Sequence, residues 1–220
     1  MFDKEFYPTP PAIIKRIMQG IDIQGKIFLE PSAGIGNIVD YLQENKARQI
    51  LTYEKNSDFR IVLSLKSKLL GDDFFNCTAE NVSHINYIVM NPPFSNAAHH
   101  ILHAWKIAPE GCEIIALCNN ETLDNTDYNY KRAELKQLVK DYGYSENLKD
   151  CFRNADRKTY IDIALIRLFK PVLSDSFDFE GFFMDEEPEK IGGESLMQFD
   201  EVTNIVGRYI SLVRGYTQFE

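Results

Sequence analysis

Lys26-Ile27-Phe28-Leu29-Glu30-Pro31-Ser32-Ala33-Gly34-Ile35-Gly36 decides the fold. Four apolar or long side chains run straight into a loop of small residues. The residues beyond, with Ile38, Val39 and Leu42 on one side, have helical spacing. A short buried strand, a glycine turn and a helix form the opening unit of an α/β sheet. Outward from it the pattern repeats. Gln49–Glu54 is a second strand, Tyr87–Met90 another, and Glu113–Cys118 a buried one, with a last long strand over 161–169. Between them lie helical spacings at Ile61, Leu65 and Leu69 over 57–69, at Ala98, Leu102 and Trp105, and at Leu135, Leu138, Val139 and Tyr142. Upstream, Tyr7-Pro8-Thr9-Pro10-Pro11 is rigid and extended, and Pro11 can open a helix through Ile13, Ile14 and Ile17. Strands alternating with helices predict a doubly wound, mostly parallel sheet covered on both faces, with ligands at the carboxyl ends of its strands.

Two loops fall at such ends. In the first, Gly34 and Gly36 permit close approach of a ligand to the backbone. Glu54 ends the next strand 18 residues after Gly36, where a carboxylate can accept both hydroxyls of an adenosine ribose. A tight turn without a ligand is the competing reading of the glycines alone. A nicotinamide dinucleotide would use similar geometry, but the third glycine of its fingerprint is replaced here by Val39. Asp72-Asp73-Phe74-Phe75 follows the third strand region. One aspartate can accept from an adenine amino group while Phe74 or Phe75 covers the ring, and Asp73 is the stronger choice.

The second loop, Asn91-Pro92-Pro93-Phe94, stands after an apolar strand and 55 residues beyond Gly36. Its residue types suit methylation of an aromatic amino group. The nitrogen of such a group is a poor nucleophile because its lone pair is delocalised. Two acceptors on its two N–H bonds localise the pair, and the Asn91 amide oxygen and the Pro92 carbonyl can supply them. Proline lacks an N–H, so the double proline stiffens the loop and leaves carbonyls as its backbone function. Phe94 offers a face for a base flipped out of its stack.

These stretches resemble the class I S-adenosylmethionine (SAM)-dependent amino-methyltransferases, and within them the N6-adenine group. The resemblance covers about residues 5–170, and its motif order is similar to the gamma arrangement of DNA adenine methyltransferases. It implies a seven-stranded Rossmann-like sheet whose last strand, Thr159–Phe169, runs antiparallel. It implies SAM as cofactor, met by Tyr7 and Thr9 at its methionine end, by Glu30, Pro31, Gly34 and Gly36 in the loop, by Glu54 at the ribose, and by Asp73 and Phe74 at the adenine. Asn91, Pro92, Pro93 and Phe94 would be catalytic, and the substrate would be adenine in DNA. RNA adenine, a protein glutamine amide, or a non-catalytic SAM-binding role stay open as alternatives. Gamma-type enzymes carry a large recognition region after the catalytic motif. Its lack here predicts low specificity, or recognition in a partner or a missing part of a longer chain.

The composition fits this reading once the charge is located. The net charge is −9. From Ser174 to Glu201 there are ten acidic residues against the single Lys190, whereas residues 1–173 hold 22 acids and 21 bases. The expected layout is therefore a methyltransferase domain over 1–173, an acidic linker over 174–198, and a helix over 199–220 with Phe199, Val202, Ile205, Val206, Tyr209, Ile210 and Val213 on one face. No apolar run approaches the ~20 residues that span a bilayer, so no membrane is expected. Four cysteines without a C-x-x-C pair predict reduced thiols in a cytoplasmic protein. His99, His100 and His103 share a helix but lack a further ligand, so no metal is expected. A basic helix (Lys131, Arg132, Lys136, Lys140) and a loop cluster (Arg153, Arg157, Lys158) are candidate nucleic-acid contacts, the loop being preferred.

Overall fold

A computed structural model describes residues 7–126, 129–149 and 162–172. Its seven-stranded sheet has the order β3-β2-β1-β4-β5-β7-β6. The strands are β1 (Ile27–Glu30), β2 (Gln49–Tyr53), β3 (Lys68–Gly71), β4 (Tyr87–Met90), β5 (Glu113–Asn119), β6 (Gly143–Asn147) and β7 (Ile163–Phe169). β1 to β5 pair in parallel, and β7 runs antiparallel to both β5 and β6. The antiparallel last strand agrees with expectation. Its described part starts at Ile163, and Thr159 to Ile161 lie outside the described residues.

Side chains alternate across the strands, so each face of the sheet has its own core. One layer packs α1 (Pro11–Ile17), α2 (Asn37–Glu44) and Leu63 of α3 (Ser57–Leu63) on Phe28, Val89, Ile115 and Leu165. The other packs α4 (Ala97–Ile107), Leu123 of α5 (Glu121–Asp124) and α6 (Tyr130–Tyr142) on Leu29, Ile88, Met90, Ile114 and Ile166. Strands covered on both faces read as unbroken apolar runs, as β4 and β5 do.

Two expectations need correction. The helix over 57–69 stops at Leu63, and Lys68–Gly71 is strand β3. Ile61 and Leu65 are exposed rather than a core stripe, and the four-residue spacing to Leu69 crosses a change of element. Strand β6, Gly-Tyr-Ser-Glu-Asn, went unread because its edge position leaves it without a continuous apolar face. On α4 the buried stripe is Ala97, Ala98, Ile101, Ala104 and Ile107, with Leu102 and Trp105 at its border.

Arg167 of β7 fastens α1 to this frame. Its guanidinium pairs with Glu113 of β5 at 3.0 Å and donates to the carbonyls of Ile17 and Gln19, each at 2.9 Å. The charge-assisted bonds satisfy acceptors that the end of α1 would otherwise leave orphaned. No helix among the described residues is long and apolar enough to cross a membrane. The linker over 174–198, the helix over 199–220 and the cluster Arg153, Arg157 and Lys158 lie outside the described residues.

Candidate active site

The chain reverses its direction of winding between β1 and β4, the two central neighbours. A crevice must open there, at the strands' carboxyl ends. A cavity of about 580 Å³ lies in it. That volume is in the range of cofactor and small-molecule sites. The loops after β1, β2, β3 and β4 all reach it, as does the arm before α1.

The glycine loop is built on β2. The Ala33 amide donates to the Tyr53 carbonyl at 3.2 Å, continuing the β1–β2 pairing past the strand end. The Gly34 amide donates to Glu54 Oε2 at 2.6 Å, and the Asn56 amide donates to Oε1 at 2.8 Å. Both Glu54 oxygens keep further lone pairs, so the carboxylate can brace the loop and still accept ligand hydroxyls. Gly34 and Gly36 adopt φ of +54° and +90°. A Cβ on Gly36 would stand 3.2 Å from a Leu63 methyl of α3. Gly36 is not in the cavity wall; it turns the chain into α2 from behind, whereas Gly34 and Pro31 face the cavity.

Glu30 is 2% exposed, and its Oε2 has no hydrogen-bond partner. Burial, and next the Glu54 and Asp40 carboxylates, push its carboxyl well above the ordinary range, against a lowering bond from the Val39 amide. A buried carboxyl oxygen without a partner in a cavity wall fits a polar group of a ligand.

Across the cavity, Asp73 accepts from the Phe75 amide at 2.9 Å through Oδ1. Asp72 and Asp73 both line the cavity, so position alone does not rank them. Phe74 lines it too but is 3% exposed, wedged between Tyr53 and His103 in the core. Phe75 stands further out, 4.4 Å from the His99 ring and 4.7 Å from His100. Burial lowers the pKa of both His100 and His103. Among the described residues no group of three potential metal ligands occurs, and the histidines serve as aromatic packing.

The Asn91–Phe94 loop closes the remaining side. Asn91 Nδ2 donates to the Tyr7 carbonyl and to Thr9 Oγ1, both at 3.0 Å. A carbonyl can only accept, which fixes the nitrogen end of the amide toward the arm. Asn91 Oδ1 is left buried with no partner. The Pro93 carbonyl takes the Asn96 amide at 3.0 Å, while no backbone amide among the described residues takes the Pro92 carbonyl. Phe94 stacks on Tyr7 with centroids 5.7 Å apart and planes 18° apart.

Of the thirteen candidate residues, the cavity thus gathers all but Gly36. Asn37, Asn56 and His100 line it as well and were not singled out as ligand contacts. Asn37 could have been found as the first helical residue after the glycine turn, where amides and polar side chains converge.

No family model and no curated protein matches this chain. Solved structures do. The 23S rRNA methyltransferase ErmE is 16% identical, with a TM-score of 0.58, over 76% of this chain and 70% of its own. A dimethyladenosine transferase from Plasmodium falciparum is 15% identical, with a TM-score of 0.55, over 73% and 61%. An O-methyltransferase from Bacillus cereus in complex with S-adenosylhomocysteine (SAH) is 15% identical, with a TM-score of 0.56, over 74% and 83%. At these identities the likeness is one of fold. The chain has the α/β Rossmann-like fold of the methyltransferases.

Proposed function

We propose that this chain transfers the methyl group of SAM to the exocyclic N6 of adenine in nucleic acid, with DNA as the polymer. The observation that carries the reading is the Asn91 amide, whose donor end is tied down and whose acceptor Oδ1 is buried and open. Burying an amide oxygen without a partner costs about 1–3 kcal/mol, which a donor in the cavity would recover. An exocyclic amino group is such a donor.

The cavity wall fits the cofactor. Glu54 would hold the ribose hydroxyls, Asp73 with Phe74 the adenine end, and Glu30 with the Pro31–Gly34 loop the methionine end. When bound, SAM supplies an electrophilic sulfonium methyl group. Asn91 Oδ1 and the Pro92 carbonyl accept the two N–H bonds of the target amino group and localise its lone pair on nitrogen. Phe94, stacked on Tyr7 and lining the cavity, would contact the flipped base through its ring. Once the N–C bond has formed and the S–C bond has broken, the extra proton on N6 passes to water, so no general base is required. Catalysis then rests on holding the reacting atoms ~3–3.5 Å apart.

DNA is favoured by the gamma-like motif order. RNA is the second reading, supported by the fold shared with an rRNA methyltransferase. The test is transfer of labelled methyl from SAM to duplex DNA, single-stranded DNA, RNA and protein, followed by mass spectrometry of the nucleosides and of the protein. N6-methylated adenosine in DNA is expected. Asn91→Ala should lower turnover about 100-fold or more, the usual effect of losing a preorganised polar group, and leave SAH affinity within about threefold. Wild-type turnover in Asn91→Ala would overturn the catalytic assignment. Methylated glutamine in place of adenine would overturn the substrate.

A further inference from the structure

We infer that Thr9 is a positioning residue for the Asn91 amide: with the Tyr7 carbonyl it forms a latch that holds one face of that amide as an acceptor. This rests on the reading of Asn91 as the acceptor for the reacting amino group. The arm is suited to the task. Pro8, Pro10 and Pro11 restrict its backbone, and a residue before proline is held extended. Thr9 is 5% exposed, and its carbonyl accepts from Asn37 Nδ2 of α2 at 3.0 Å. Its hydroxyl accepts from Asn91 Nδ2 at 3.0 Å, beside the bond to the Tyr7 carbonyl.

Both protons of the amide nitrogen are therefore engaged on the arm side. Turned over, the amide would bring its oxygen against the Tyr7 carbonyl and aim two donors at the substrate amino group, itself a donor. Such an Asn91 could not localise the lone pair. With Thr9 replaced by valine, only the Tyr7 carbonyl opposes that rotation, and Asn91 samples orientations that cannot react. The role acts through Asn91, so it shows in turnover rather than in cofactor affinity.

The experiment compares wild type, Thr9→Val and Thr9→Ser in three measurements. These are kcat at saturating polymer and SAM, the Kd of SAH, and hydrogen exchange of the Asn91 side-chain NH2, whose NMR signals are identified by their loss in Asn91→Asp. Expected for Thr9→Val is a fall in kcat of about tenfold, the worth of one hydrogen bond. SAH affinity should stay within about threefold, with clearly faster NH2 exchange. Thr9→Ser, which keeps the hydroxyl, should restore both kcat and slow exchange. A loss of SAH affinity with kcat intact would overturn the inference and make Thr9 a cofactor ligand. Equal behaviour of the valine and serine variants would overturn it too. Were the wild type to methylate no adenine, the functional reading would fail, and the exchange data would still decide the latch. Unchanged exchange in Thr9→Val would overturn it, and faster exchange with serine rescue would sustain it.

Discussion

Replacing Arg167 by methionine should destabilise the protein by an amount that grows with pH. The variant keeps much of the aliphatic stem and removes the guanidinium. Lost with it are the 3.0 Å pair with Glu113 and the two 2.9 Å bonds to the Ile17 and Gln19 carbonyls. The two side chains of the pair are only 11% and 14% exposed, so water replaces the guanidinium poorly. Removing one partner of a buried pair costs about 3–5 kcal/mol. Slight exposure and the freedom of Glu113 to take up a proton place this case near the lower end, at about 3 kcal/mol at pH 8. Burial already pushes the Glu113 carboxyl above its ordinary value, and Arg167 pulls it partly back. Without Arg167 the folded-state value rises further. A carboxyl raised by folding is neutral in both states below its unfolded pKa and carries no penalty there. The penalty appears as pH climbs through the interval up to the folded value. At pH 4 the cost should therefore shrink toward the orphaned carbonyls alone, about 1–2 kcal/mol. Urea unfolding followed by circular dichroism at pH 4, 6 and 8 measures both quantities. A loss below about 1 kcal/mol at pH 8, or one that does not change with pH, would refute the argument, since the range for breaking such a pair would then not apply.

Glu30→Gln should do the reverse. Because the folded-state pKa of Glu30 is raised, the wild type loses stability as pH rises from about 4.5, the region of an unperturbed carboxyl, toward the folded value. The neutral glutamine escapes that loss, so its melting temperature relative to wild type should rise between pH 4.5 and pH 8. A constant offset across that range would mean that Glu30 titrates normally. Glu54→Ala should weaken SAH binding at least about tenfold, a loss of ~1.4 kcal/mol, because it removes the proposed ribose acceptor together with the brace on Gly34 and Asn56. Calorimetric titration that shows unchanged affinity would remove Glu54 from the site.

The site loops were legible because local chemistry and strand pattern agree there. Small residues at 31–36 directly after an apolar strand admit few structures, and two prolines after Met90 can only end β4. The inner strands were legible as apolar runs for the same reason. Reading failed where an element is marginal. Leu65 and Leu69 share a spacing but not a helix, and β6 depends on pairing with β7 rather than on its own Gly-Tyr-Ser-Glu-Asn. Long-range polar bonds were also out of reach. Nothing near Asn91 in the chain announces that Tyr7 and Thr9 will orient it, nor does anything near Arg167 announce its carbonyl partners at Ile17 and Gln19. A side-chain hydrogen bond across 82 residues has no periodicity to read.

The route by which the arm is held has a consequence for biosynthesis. The arm leaves the ribosome before Asn91 does, so its acceptors await that residue, and the helix it leads into is fastened to the later strands by Arg167 of β7 and by the pairing of its own Arg16 with Glu146 of β6. A nascent chain halted after β4 could pair β1 with β2 and β4 but would lack the clamp on α1. Contacts this distant in sequence form late, because the loops they close are entropically costly. The bonds of Asn91 to the arm can thus form in a chain that ends at β4, but α1 behind the arm gains its last fastenings only once β6 and β7 are in place, so a half-made or partly unfolded chain would hold the proposed latch less firmly than the finished fold.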